Sequence, residues 1–137
     1  MNPSFSAQIT FFFTEDLELS HRFYSTGFGF PMVLDQGSCR IYRSCQGAYV
    51  GFCTREEALS PQGVIFTMVT EEVDKWVERL VEFGAELETE PRYSDTYRIY
   101  HSFLRDPNGY RLEIQRFEDP FPGDGEQPAS AGQIGEQ

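Results

Sequence analysis

The sequence predicts an α+β fold made of two copies of a strand–helix–three-strand unit, on three observations. Residues 8–14 and 63–69 are both β-branched and aromatic runs, each followed by apolar residues at helical spacing and then glycine. Each half ends in a hairpin with a glycine turn, Gln46-Gly47 in the first and Asn108-Gly109 in the second. The halves also superimpose by number: an offset of 55 carries Ile9 onto Val64 and Gly29 onto Gly84, and an offset of 62 carries Gly51 onto Glu113. The additional residues of the second half fall near 92–97, a polar stretch that tolerates insertion.

The elements follow in order. Gln-Ile-Thr-Phe-Phe-Phe-Thr at 8–14 reads as a buried strand. Asp16 stands where a helix cap belongs, ahead of Leu17, Leu19, Phe23 and Tyr24 on one helical face, and Gly27 and Gly29 end that helix. Strands are expected at 30–34, 39–43 and 48–53, and a linker at 55–62. In the second half, Thr70 or Glu71 opens a helix carrying Val73, Trp76, Val77 and Leu80 toward the sheet, and Gly84 closes it. A short strand at 87–89 stops before Pro91, 92–97 is a polar loop, and 98–104 leads into Asp106-Pro107-Asn108-Gly109. That turn supplies a side-chain acceptor, a preset φ and a residue free to take positive φ. The strand after it alternates, with Leu112 and Ile114 on one face and Arg111, Glu113 and Gln115 on the other. Residues 1–117 read as one domain, with modules at 8–54 and 63–117, and 118–137 as a disordered acidic tail.

Composition limits the partners. The net charge is −11, of which the body from 1 to 117 carries −6, which argues against nucleic acid and anionic membrane as partners. No apolar run approaches the ~18 residues of a membrane span, and no leader pattern precedes the first strand, which makes a cytoplasmic protein the expectation. Three cysteines in no recognisable spacing suggest reduced thiols. Cys39 and Cys53 lie on adjacent strands, where register decides whether they are neighbours. Packing is the plain reading of the pair, and a soft-metal site the sharper one.

The duplicated unit, Asp16-Leu17 with Phe23-Tyr24 and Gly27-Phe28-Gly29-Phe30 after the first strand, and Asp106-Pro107-Asn108-Gly109-Tyr110 with Glu113 near the end, resemble the vicinal oxygen chelate superfamily. That superfamily includes glyoxalase I, bleomycin-resistance proteins and extradiol dioxygenases. The resemblance covers residues 8–117. It implies two modules forming a half-open, cleft-containing mixed sheet, a homodimer, and in some members a divalent metal held by His or Glu from the first and fourth strands of each module. Carried onto this chain, those positions are Ile9, Gly51, Val64 and Glu113, and Glu113 alone is of ligand type. No cofactor is therefore expected.

With Ile9 facing inward, alternation also turns Phe11 and Phe13 inward and adds Tyr49, Cys53, Phe66 and Met68. The resulting cleft has aromatic walls with Glu113, Arg111 and Gln115 on its floor, the form of a small-molecule site. Glu113 is the candidate catalytic or ligand-binding group; the plain alternative pairs it structurally with Arg111 or Arg98. His101 reads as a surface or hydrogen-bonded residue rather than a base, and His21 as solvent-facing. The expected function is binding of a small, partly apolar molecule, such as drug or metabolite sequestration. The competing expectation is a metal-dependent lyase, isomerase or dioxygenase.

Overall fold

The chain, seen in a computed structural model, is described for residues 3–55 and 62–120. Most of the 55–62 linker and all of the tail after residue 120 lie outside these residues. The first module contains β1 (Gln8–Thr14), α1 (Leu17–His21), which runs on as a π-helical segment (Arg22–Gly27), β2 (Met32–Asp35), β3 (Cys39–Cys45) and β4 (Ala48–Thr54). The second contains β5 (Ile65–Val69), α2 (Val73–Glu82), β6 (Glu86–Ser94), β7 (Ile99–Arg105) and β8 (Arg111–Phe117). Each module forms a four-stranded mixed sheet, in the orders β1-β4-β3-β2 and β5-β8-β7-β6. The first and last strands of each module pair in parallel and the others antiparallel. The helix and the two strands after it supply the long crossover that a parallel pair needs.

Local chemistry explains the helices. Asp16 caps α1, its Oδ1 accepting from the amides of Glu18 at 2.9 Å and Leu19 at 3.4 Å. Val73, Val77 and Leu80 form the buried stripe of α2, as their spacing requires, and Trp76 packs beside them. Neither Thr70 nor Glu71 caps that helix: the N-cap is Glu72, and its side chain makes no capping bond.

One core serves both modules. One face of the first sheet contributes Phe12, Tyr42, Val50 and Phe52, and one face of the second contributes Leu104, Leu112 and Ile114. Phe66 joins them, its ring centroid 6.2 Å from those of Phe12 and Tyr24. The β7–β8 turn then pins the modules to each other. Asp106 Oδ1 accepts from the amides of Asn108 and Tyr110, and Gly109 adopts φ +91°. From that turn, Asp106 Oδ2 accepts from the buried Tyr24 hydroxyl at 2.7 Å, and Asn108 Nδ2 donates to Thr14 and Ser20. The Tyr110 hydroxyl donates to the Phe13 carbonyl at 2.9 Å. The motif is thus a turn on one module and a plug in the other.

Several expectations need correcting. Residues 92–94 belong to β6, which runs to Ser94 through Pro91. As an edge strand whose register shifts between Thr89 and Arg92, it can carry a proline without losing an internal ladder bond. Residues 118 and 119 are held rather than loose: Arg98 pairs with Asp119 at 3.0 Å, and the Glu118 amide donates to the Arg98 carbonyl. His21 is half-buried, its Nδ1 2.8 Å from the Tyr42 hydroxyl, not solvent-facing.

Candidate functional site

The site lies on the sheet faces turned away from the core. β1 and β4 pair Ile9 with Tyr49, Phe11 with Gly51 and Phe13 with Cys53. Neighbours in register share a face, so all six stand opposite the buried Phe12, Val50 and Phe52. Ile9, Phe11 and Phe13 are 41%, 52% and 43% exposed, a large apolar surface for one strand. Phe11 lies across Gly51: a Cβ built there would stand 2.5 Å from its Cδ1 and Cε1. Arg55 covers the Phe13 ring at 4.6 Å.

In the second sheet the pairs are Ile65 with Arg111, Thr67 with Glu113 and Val69 with Gln115. Phe66 and Met68 pair with Leu112 and Ile114 and turn toward the core. Expecting Phe66 and Met68 beside Glu113 was therefore wrong by one residue, and Val64 lies before β5, half exposed. The offset of 55 caused the error. Phe11 faces Gly51 and Thr67 faces Glu113, which sets the first-strand offset at 56. In a strand a slip of one turns every side chain over.

Glu113 is 8% exposed and fully engaged. Its Oε1 accepts from Thr67 Oγ1 and Gln115 Nε2, both at 3.0 Å. Its Oε2 lies 2.7 Å from His101 Nδ1. Neither Arg111 nor Arg98 is the partner: Arg98 is taken by Asp119, and Arg111 lies 3.5 Å from Glu88, which also holds Arg105 at 2.5 Å. Arg111 also stacks on Phe103 at 4.0 Å, and Phe103 meets the His101 ring edge-on at 5.0 Å. Gln115 is 9% exposed, and its Oε1 is buried without a partner among the described residues. His101 and Phe103 were legible from the turn, since counting back across it pairs Phe103 with Glu113 and His101 with Gln115. Thr67 carried no signal of its own; it depends on the register of β5.

Cys39 and Cys53 are cross-strand neighbours on this outer face, joined as a disulfide with Cα atoms 4.1 Å apart. The Thr54 amide bonds the Ser38 carbonyl, which makes 39/53 a narrow, non-hydrogen-bonded pair. Free thiols at these positions were the wrong expectation, because odd-numbered cysteines do not reveal which two share a register. Cys45 is free and exposed.

A cavity of about 800 Å³ lies elsewhere, between the Phe28–Pro31 segment, the β3–β4 turn, Met68, Trp76 and Ile114. Tyr49 and Met68 line it, but no carboxylate or imidazole does. Ile114 points to the opposite side of β8 from Glu113, so this cavity and the polar cluster are separate places.

This double module with an outward-facing Glu on its last strand matches the model of the Glyoxalase/Bleomycin resistance protein/Dioxygenase superfamily over residues 7–114. The chain belongs to that superfamily. Among solved structures, it is similar to a glyoxalase-related enzyme from Fulvimarina pelagi, with TM-score 0.76, 22% identity, and 91% of this chain and 97% of that one covered. A family enzyme from Burkholderia phytofirmans PsJN gives TM-score 0.72, 23% identity, and coverage of 79% and 95%. A glyoxalase/bleomycin resistance protein from Albidiferax ferrireducens T118 gives TM-score 0.66, 24% identity, and coverage of 85% and 98%. No curated protein matches the chain. Among the described residues no helix is long and apolar enough to cross a membrane.

The superfamily implies a divalent metal in some members, and the donor set here does not fit one. Opposite Gly51 stands the Phe11 ring, opposite Glu113 stands Thr67, and Glu113 has three donors on its two oxygens. Among the described residues no three His, Cys, Asp or Glu side chains come together as a metal site.

Proposed function

We propose that this superfamily member binds a small, partly apolar molecule on the outer faces of its two sheets, without a cofactor. One observation supports this above the others: Glu113 is buried on the face away from the core, inside a network with Thr67, Gln115 and His101. Burying a carboxylate costs free energy unless it is bonded, and a purely structural outer face would gain nothing from the arrangement. Beside it on the second sheet stand Ile65 and Val69, and the outer face of the first sheet carries Ile9, Phe11 and Phe13, each more than 40% exposed. Apolar walls around a few convergent polar groups are the general form of a ligand site. A second copy of the chain covers these faces and closes the cleft, and the outcome is sequestration of a drug or metabolite. The separate cavity is the lesser candidate, because Arg43 is the charged group in its walls and no carboxylate or imidazole accompanies it.

The test is a thermal-shift screen of small amphipathic molecules on the full chain, repeated on E113A and F11A. Hits that stabilise wild type and lose their effect in both variants support the proposal. Hits that persist in both, with NMR shifts at Trp76 and Met68, would move the site to the cavity.

A further inference from the structure

We infer that His101 is the proton-accepting group of this face, held ready by Glu113, and that the ligand presents to it a weakly acidic O–H or N–H. This inference rests on the reading that a small molecule binds over Glu113.

Of the cations on this face, Arg105 and Arg111 share Glu88 and Arg111 lies flat on Phe103, while Arg92, in register with His101 across β6 and β7, is exposed. Glu113 has two donors on Oε1 and one on Oε2, which leaves it poorly placed to recognise a cation. The open valence is on His101. An ionised carboxylate only accepts, so the nitrogen 2.7 Å from Glu113 Oε2 must carry the proton. In the neutral imidazole, Nε2 is then the lone-pair nitrogen. Nε2 has no hydrogen-bond partner among the described residues, and the side chain is 14% exposed on the outer face. Phe103 fixes the ring from its edge, and Gln115, directly across the strands, keeps Glu113 in place.

A base oriented through one nitrogen by a carboxylate and open at the other is arranged for proton transfer. The step balances simply. The ligand's O–H or N–H bond breaks, its electron pair stays on the ligand, and the proton moves to Nε2. The imidazolium formed is stabilised by Glu113, and the proton returns when the ligand leaves. His101 touches the ligand; Glu113 is a positioning residue. The exposed Ile65 and Val69 on the same sheet face suit an aromatic body on the ligand.

The probe is 4-nitrophenol, whose ionised form absorbs in the visible, with benzyltrimethylammonium as the charged comparison. The protein is the full chain in an H21Q background, which leaves His101 as the one histidine. Nitrogen NMR should show His101 protonated at Nδ1 and bare at Nε2, and E113Q should shift the tautomer toward Nε2–H. Nitrophenol should bind about tenfold more tightly than the ammonium probe and gain its phenolate band on binding. H101Q can still donate to Glu113 but has no basic nitrogen, so it should lose the band. A protonated Nε2 in the parent, tighter binding of the ammonium probe, or binding with no phenolate band would overturn the inference and leave the binding face standing. No probe binding, together with an empty amphipathic screen, would sink both.

Discussion

Tyr24→Phe tests whether the β7–β8 turn holds the modules together. The Tyr24 hydroxyl donates to Asp106 Oδ2 at 2.7 Å, with Tyr24 1% and Asp106 4% exposed, so no water replaces the lost donor. Leaving a buried acceptor unpaired costs about 1–3 kcal/mol, more for a charged one, and about 2 kcal/mol is expected here. For a domain of this size that lowers Tm by roughly 6 °C. Asp106→Ala also removes the acceptor for the Asn108 and Tyr110 amides and should cost about 3 kcal/mol or more. Asp106→Asn keeps Oδ1 for both amides, and its Nδ2 can donate to the Tyr24 oxygen, so it should fall within about 1 kcal/mol of wild type. Burial raises the Asp106 pKa above its ordinary 3.8 despite those donors. The sign follows. Below 3.8 the acid is neutral in both states; as pH rises, the unfolded chain ionises first and wild type loses stability relative to Asp106→Asn. The loss ends once pH passes the raised folded value. Urea unfolding of the three variants, and of wild type and Asp106→Asn from pH 3 to 7, gives every number needed. A Tyr24→Phe cost below about 0.5 kcal/mol, or Asp106→Asn as damaging as Asp106→Ala, would refute the reasoning.

Three further outcomes are expected. Gly51→Ala places a Cβ 2.5 Å from the Phe11 ring, and because Phe11 is half exposed the ring should swing aside for less than about 1 kcal/mol, visible as a large shift of its ring protons with little change in Tm. Thiol titration should find one reactive thiol, Cys45, in the native chain, and three after denaturation with reductant. Arg79 donates to the Gly27 carbonyl at 2.7 Å and the Thr26 carbonyl at 2.9 Å, closing the end of the π-helical segment, so Arg79→Ala should cost about 1–2 kcal/mol by urea unfolding. Arg79→Lys should recover less than half of that cost, since one ammonium cannot serve both carbonyls in the same fork.

Much of the fold was legible because it is written in local chemistry. Asp16 before a helical stripe, Asp106-Pro107-Asn108-Gly109 before an alternating strand, and two aromatic runs each opening a module are patterns that act within a few residues. They fixed the element order, the duplication and the placing of Glu113, Arg111 and Gln115 on one face. What no local pattern carries is register between distant strands. Whether Phe66 or Thr67 accompanies Glu113 depends on how β5 slides along β8, and a single residue separates an apolar neighbour from a hydrogen-bond donor. The same holds for Cys39 and Cys53, and for Phe11 across Gly51, since each pair meets only when two strands take one alignment. Tertiary structure also chose the partner of Glu113. Arginine, the expected counter-charge, is drawn off by Glu88 and Asp119, and the carboxylate is left to His101 from the neighbouring strand. Sequence determined which groups the chain carries and on which elements; packing of the modules decided which of them meet.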